Sequence, residues 1–182
     1  YREEFQDLSV YWKPITTKDG SANYDVPRKL WEAYYYAIAQ ANEVLTLIEE
    51  TKDYGDRNMA SRAEALAVRA WSHFQLANVF CLPYNFDGQG GATNLGIPYV
   101  AERVTTIIPD YPRGTVAETY AKIEADLTAG IPLVESYVVY PEEKKKFHFS
   151  APAAYAFAAR FYLYYQKWDK AIEYADKVLG GN

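Results

Sequence analysis

The sequence predicts an all-α protein: antiparallel helix pairs in a superhelical scaffold, interrupted by long irregular loops. Three observations predict it. Apolar residues recur at alternating steps of three and four, the period of a helix with one buried face. Cap and stop signals bracket those windows at helix-like intervals. No window makes a convincing alternating strand. The 182 residues are 49% apolar with a net charge of −5. That is an ordinary globular balance, long enough to bury a sizeable core. It argues against disorder. It also argues against a nucleic-acid binder, which needs an excess of Lys and Arg to meet phosphates. The single cysteine, Cys81, excludes an internal disulfide framework and a multi-Cys zinc site. The aromatic load is unusual, at 18 Tyr, 8 Phe and 4 Trp.

The first helix is predicted over Leu30–Glu50, where Trp31, Tyr34, Ile38, Ala41, Leu45 and Ile48 form one stripe. Pro27 near its entry costs little, because the first turn has unpaired N–H groups anyway. Ser61 and Glu64 have capping-box spacing for a second helix, although Asp56 offers a start one turn earlier. Its face, Ala63, Leu66, Ala70, Phe74, Ala77 and Cys81, is mostly alanine, so a neighbouring helix can approach closely. Pro83 stops it. The stretch 83–114 then reads as a long loop insertion rich in Gly and Pro, with a short extended run at Ile97–Val100. Thr115 and Glu118 make another capping box, Val116, Tyr120, Ile123 and Leu127 its buried face, and Pro132 its expected end. Ser150 is the expected cap of a fourth helix with Pro152 in its first turn and Ala154, Phe157, Ala158, Phe161 and Tyr165 inside. Asp169 is the expected cap of the last, with Ala171, Ile172, Ala175 and Val178 inside and Gly180 closing it.

No run of 18 or more apolar residues occurs, and the first residues carry no signal-peptide pattern. The expectation is a single helical domain over 1–182, cut from a longer protein. Its first 26 residues are irregular.

Internal repeats follow from spacing. Tyr155, Ala158, Ala159 and Tyr162 hold the first-helix offsets of a tetratricopeptide unit, Ala171, Ala175 and Val178 the second-helix offsets, and 166–169 the tight turn. The pair Trp31–Ile48 and Ala63–Cys81 is a looser match. The order of segments adds more. Trp31-x-x-Tyr34 and Ala41-Asn42-x-Val44-Leu45 come first, then Glu64-Ala65, Arg69-Ala70-Trp71 and Leu76. Pro83-Tyr84-Asn85 and Gly96-Ile97-Pro98-Tyr99-Val100 follow. Then come Arg113-x-Thr115-Val116, Tyr120, Ile123, Asp126-Leu127 and Ser150-Ala151-Pro152-Ala153-Ala154. This series, from about Trp31 to Leu179, resembles the SusD/RagB family of surface glycan-binding lipoproteins. The resemblance implies a tetratricopeptide-like scaffold and an outer-membrane location. It implies no catalysis and no cofactor. The partners it implies are an oligosaccharide or other nutrient ligand and a SusC-like TonB-dependent transporter. The family's lipid-bearing Cys is not in this chain, and Cys81 is wrongly placed to be it.

Sugar binding needs flat apolar faces beside groups that meet hydroxyls. Tyr11, Trp12, Asn23 and Tyr24, with Arg28 nearby, lie upstream of the Trp31 helix. That region contributes to the glycan site in the family the chain resembles. These four residues are the candidate glycan-binding set. The competing reading packs Trp12 and Tyr24 onto the scaffold. Tyr34, Tyr35 and Tyr36 point about 100° apart on a helix, so they make no platform; Tyr162, Tyr164 and Tyr165 are set aside likewise. Asn42 reads as a buried amide bonded to loop backbone, Arg69 as a tie to a loop or carboxylate, and Arg113 as a cap against a carboxylate. His73 and His148 read as structural and share no metal spacing. Cys81 reads as a small buried apolar residue. Glu142 and Glu143 sit in a charge run without glycosidase geometry. Gly88–Gly91 is a flexible loop and no phosphate cradle. The rival function is a tetratricopeptide scaffold that binds a peptide or protein.

Overall fold

The computed structural model describes residues 26–106, 110–137 and 147–180. Within them lie five helices: α1 (Val26–Thr51), α2 (Asp56–Phe80), α3 (Val116–Ser136), α4 (Ala151–Tyr164) and α5 (Trp168–Leu179). The all-α expectation holds. α2 lies between α1 and α3, α4 leans on α3 and α2, and α5 packs its backbone on α4 alone.

The alanine face of α2 makes this stacking possible. Ala63, Ala67, Ala70 and Ala77 are buried, and Gly130 of α3 sits so close that a Cβ there would lie 3.3 Å from Leu66 Cβ. Aromatics fill what the small residues leave. Phe74 is fully buried, with the rings of Phe157 and Phe161 at 5.8 Å and Tyr120 at 6.4 Å. Ile38, Ala41, Leu45 and Ile48 bury the stripe of α1. Of its tyrosines, Tyr34 and Tyr35 are half-buried and Tyr36 faces solvent.

Several helix ends differ from expectation. The capping box at Thr115 is present: Glu118 N–H donates to Thr115 Oγ1 at 3.1 Å, and Thr115 N–H to Glu118 Oε2 at 2.7 Å. Ser61 and Glu64 form no box. α2 starts at Asp56 behind Gly55, so Ser61 is already helical and its hydroxyl donates to Arg57 O. Glu64 instead accepts from Phe149 N–H at 3.1 Å and pairs with His148 Nδ1 at 2.8 Å. α3 runs through Pro132 to Ser136. The residues beyond the proline bury Val134 and pack Leu133 against the cluster of Ala41, Leu45, Ala65 and Leu66, which outweighs one lost backbone bond. Ser150 precedes α4 without a side-chain cap bond, and Lys167 takes the cap of α5, leaving Asp169 in the first turn. There its charge still suits the helix dipole. Gly180 ends α5 at φ +90°, a left-handed position that glycine adopts without strain.

The segment between α2 and α3 is held in place. Its glycine turn closes on Asp87, which accepts from Gln89 N–H and the Thr93 and Asn94 side chains, so the expected flexible loop is a bonded one. Leu95 bridges Thr115, with Gly96 N–H donating to Gly114 O at 2.8 Å. A Cβ at Gly96 would fall 2.2 Å from Thr119 Oγ1 and 2.6 Å from Thr115 O, so only glycine fits. Arg113 donates to the Gly96 and Leu95 carbonyls, where a carboxylate was expected. Cys81 is half-buried against the core, and burial pushes its thiol pKa up. No helix of the described residues is long and apolar enough to cross a membrane.

Candidate functional site

Three helices aim polar side chains at one short piece of backbone. Asn42 comes from α1, Arg69 and His73 from α2, and Asp126 from α3; all four are buried. Arg69 forks onto Asp126, Nε to Oδ2 at 2.7 Å and Nη2 to Oδ1 at 2.6 Å. Its Nη1 donates to Asn42 Oδ1 at 2.9 Å and to Ala101 O at 2.8 Å. Asn42 Nδ2 donates to the carbonyls of Val100 and Glu102, each at 3.1 Å. Tyr35 adds its hydroxyl to Pro98 O at 2.7 Å. The segment 98–102 is thus bonded to α1 and α2 directly, and to α3 through Asp126. The expectations for Asn42 and Arg69 are met together, in one network.

His73 completes it. The carbonyl of Arg69 can only accept, so Nδ1 carries the proton and donates to it at 2.9 Å. Nε2 is then the acceptor for Val100 N–H at 3.2 Å. Burial, then the charges of Arg69 and Lys122, hold its pKa down at about 3, so the ring stays neutral. Tyr99 stacks on it at 3.8 Å and donates its hydroxyl to Asp126. Burial first, and then the Asp126 carboxylate, push the phenol well above its ordinary range. Burial works against the Arg69 charge, and the Asp126 carboxylate more than offsets it. Every member has both role and partner, so the cluster offers no uncommitted acid or base to a substrate. Its chemistry is positional. A buried ion pair gives little net stability, and its gain is a fixed geometry.

The outer side of the clamped segment borders a polar cavity of about 360 Å³, lined by Glu102, Arg103, Thr105, Thr106, Asp110 and Tyr111, among others. Arg103 also lines a neighbouring cavity of about 430 Å³ with Leu45, Glu49 and Glu50, and it is forked between α1 carboxylates, Nε and Nη2 to Glu43 at 2.7 and 2.9 Å, and Nη1 to Glu50 at 3.0 Å. Elsewhere, a groove of about 410 Å³ between α2 and α4 holds Trp71, Phe149, Phe157 and Arg160. It is apolar and has few groups for hydroxyls. A smaller cleft, of about 230 Å³, lies beside Glu64 and His148. Among the described residues no group of His, Cys, Asp and Glu is arranged to hold a metal.

Tyr11, Trp12, Asn23 and Tyr24 lie outside the described residues, as do Glu142 and Glu143. Arg28 is exposed and pairs with Glu32 at 2.7 Å. Sequence reasoning missed Asp126, His73 and Tyr99 as members of the clamp. Asp126 carried a readable signal: it stands beside Ile123 and Leu127 on a buried face, where a carboxylate needs a partner.

The fold and the clamp define a helical-repeat scaffold that displays ordered loop segments. A family model described as starch-binding, associating with outer membrane, SusD-like, matches residues 2–163. The chain therefore belongs to the SusD-like family. A SusD superfamily protein from Bacteroides vulgatus is 31% identical at a TM-score of 0.70, over 83% of this chain and 32% of that one. A SusD superfamily protein from Bacteroides thetaiotaomicron is 26% identical at a TM-score of 0.69, over 82% and 31%. A laminarin-binding SusD-like protein, 24% identical at 0.65 over 84% and 30%, shares the fold. The chain thus spans about a third of the length of these structures. Curated proteins yielded no match.

Proposed function

We propose that this chain is part of a non-catalytic capture protein for oligosaccharides at the outer membrane. It forms one helical domain of a longer polypeptide. The observation that carries this reading is the family match over residues 2–163, to a family described as starch-binding and associating with the outer membrane. The laminarin-binding relative of the same fold agrees with a glycan ligand. Capture works without covalent chemistry. Aromatic faces take the C–H side of a sugar ring, and polar side chains select its hydroxyls. Delivery then passes to a SusC-like TonB-dependent transporter, with the protein held at the cell surface as a lipoprotein. Tyr11, Trp12, Asn23 and Tyr24 supply the main contacts in this proposal.

The test is binding by the protein at its natural length, on a glycan array and in affinity gels. Retention by at least one neutral oligosaccharide is expected, with a loss of roughly tenfold or more in Trp12→Ala, the size of an interface anchor. Binding of no glycan together with tight peptide binding would overturn the reading. Unchanged affinity in Trp12→Ala would remove that residue from the site.

A further inference from the structure

We propose that the polar cavity over the clamped segment is a second carbohydrate subsite, one that takes a neutral sugar unit. The proposal rests on the glycan-capture reading and adds a place and a set of contacts to it. Two observations point there.

The first is the lining. Glu102, Thr105, Thr106 and Asp110 offer acceptors and hydroxyls to a cavity of about 360 Å³, within the size range of small-ligand sites. None of their side chains has a hydrogen-bond or ion-pair partner among the described residues. Arg103 brings donors: two carboxylates occupy three of its five N–H groups and lock its plane, and the other two have no partner among the described residues. Tyr111 is half-buried against the Ile38, Ile97 and Val100 cluster, so packing orients its ring. A sugar hydroxyl both donates and accepts, and this wall supplies both roles beside an aromatic face. Charge selects further. Glu102 and Asp110, with Glu43 and Glu50 behind Arg103, repel an anion. No metal-holding group is arranged among the described residues.

The second is the support. Glu102 belongs to 98–102, the piece of backbone that Asn42, Arg69, His73 and Tyr35 hold by five hydrogen bonds, Arg103, Thr105 and Thr106 follow on it, and Tyr111 packs on the cluster that holds Ile97 and Val100. Loops that bind ligands are commonly carried on a rigid scaffold. Fixing the backbone beforehand removes an ordering cost that binding otherwise bears. The apolar groove and the Glu64 cleft lack this combination: the first has few polar groups, and the second pairs its carboxylate with His148 and a backbone N–H. The neighbouring cavity of about 430 Å³ on the α1 side shares Glu102, Arg103 and Thr105 with the proposed subsite and has no aromatic side chain in its lining.

The experiment measures affinity for the neutral oligosaccharide that the wild-type protein retains, by calorimetry at natural length. Asp110→Ala changes an exposed side chain and leaves the fold intact. It is expected to weaken binding about tenfold, the scale of one hydrogen bond to a charged group. Tyr111→Ala is expected to weaken it further; Tyr111→Phe, which keeps the ring, is expected to hold affinity within about threefold. If the wild type binds and both Asp110→Ala and Tyr111→Ala bind equally well, the subsite is overturned while glycan capture stands. A wild type that binds no neutral oligosaccharide overturns both.

Discussion

α2 and α5 hold the same place in their helix pairs, the second helix of each. Their surroundings differ. α2 is covered by α1 on one side and α3 on the other, and its buried set includes Phe74, His73 and Arg69. α5 has no buried residue. Its Ala171 and Tyr174 pack inward, Tyr174 stacked on Tyr162 at 5.6 Å, while Ile172 stays 60% exposed and Val178 40%. The periodicity that predicted Ile172 and Val178 inside is a statement about which face is apolar. Whether that face is covered depends on what stacks on it. The two regions also differ in how they are tied. The α2 side carries a buried ion pair, and α5 is tied to α3 by half-exposed lysines, where Lys170 and the Lys167 cap residue meet the partly buried Glu124 at 2.9 and 2.6 Å.

The sharpest test of this contrast is Asp126→Ala. It strands a buried Arg69 and is expected to cost about 3–5 kcal/mol in chemical denaturation. A loss under 1 kcal/mol would mean that the clamp is solvated in solution. Next is the pH dependence of His73→Gln against wild type. The unfolded imidazole titrates near 6.5 and the folded one near 3. Between those values the unfolded state binds more protons, so the wild type loses stability as pH falls, by up to ~1.4 kcal/mol per pH unit. That contribution is present in full above about pH 6.5. The stability difference between the two proteins is expected to shift across this window and to stay flat above it. A flat difference throughout would break the assignment of a neutral, buried ring. The smallest effect is expected at α5, where Ile172→Ser should change stability by less than about 0.5 kcal/mol. A larger loss there would show that the helix is covered after all.

Much of the fold was legible because helices advertise themselves locally. The Thr115–Glu118 box and Gly180 are short-range signals, and both are used as their spacing suggests. The misreadings have one physical cause. Glu64 is drawn away from a capping role by His148 and the Phe149 amide, 84 and 85 residues distant. Pro132 is kept inside α3 because the next residue, Leu133, packs on the cluster of Ala41, Leu45, Ala65 and Leu66. Neither competitor is visible in a short window. The site was legible in part for the same reason. Asn42 and Arg69 announced themselves as polar residues on apolar faces, but their partners lie between 27 and 60 residues away and emerge only when the helices stack.

The bond from Val100 to His73 has a consequence for hydrogen exchange. Val100 belongs to an irregular segment, where amides ordinarily swap protons with water at once. Its N–H points into a buried imidazole, so it exchanges only when the segment lifts off the helices beneath it. One loop amide thereby acquires the protection of a core position, and its exchange rate reports how often the scaffold releases the strip of backbone it carries.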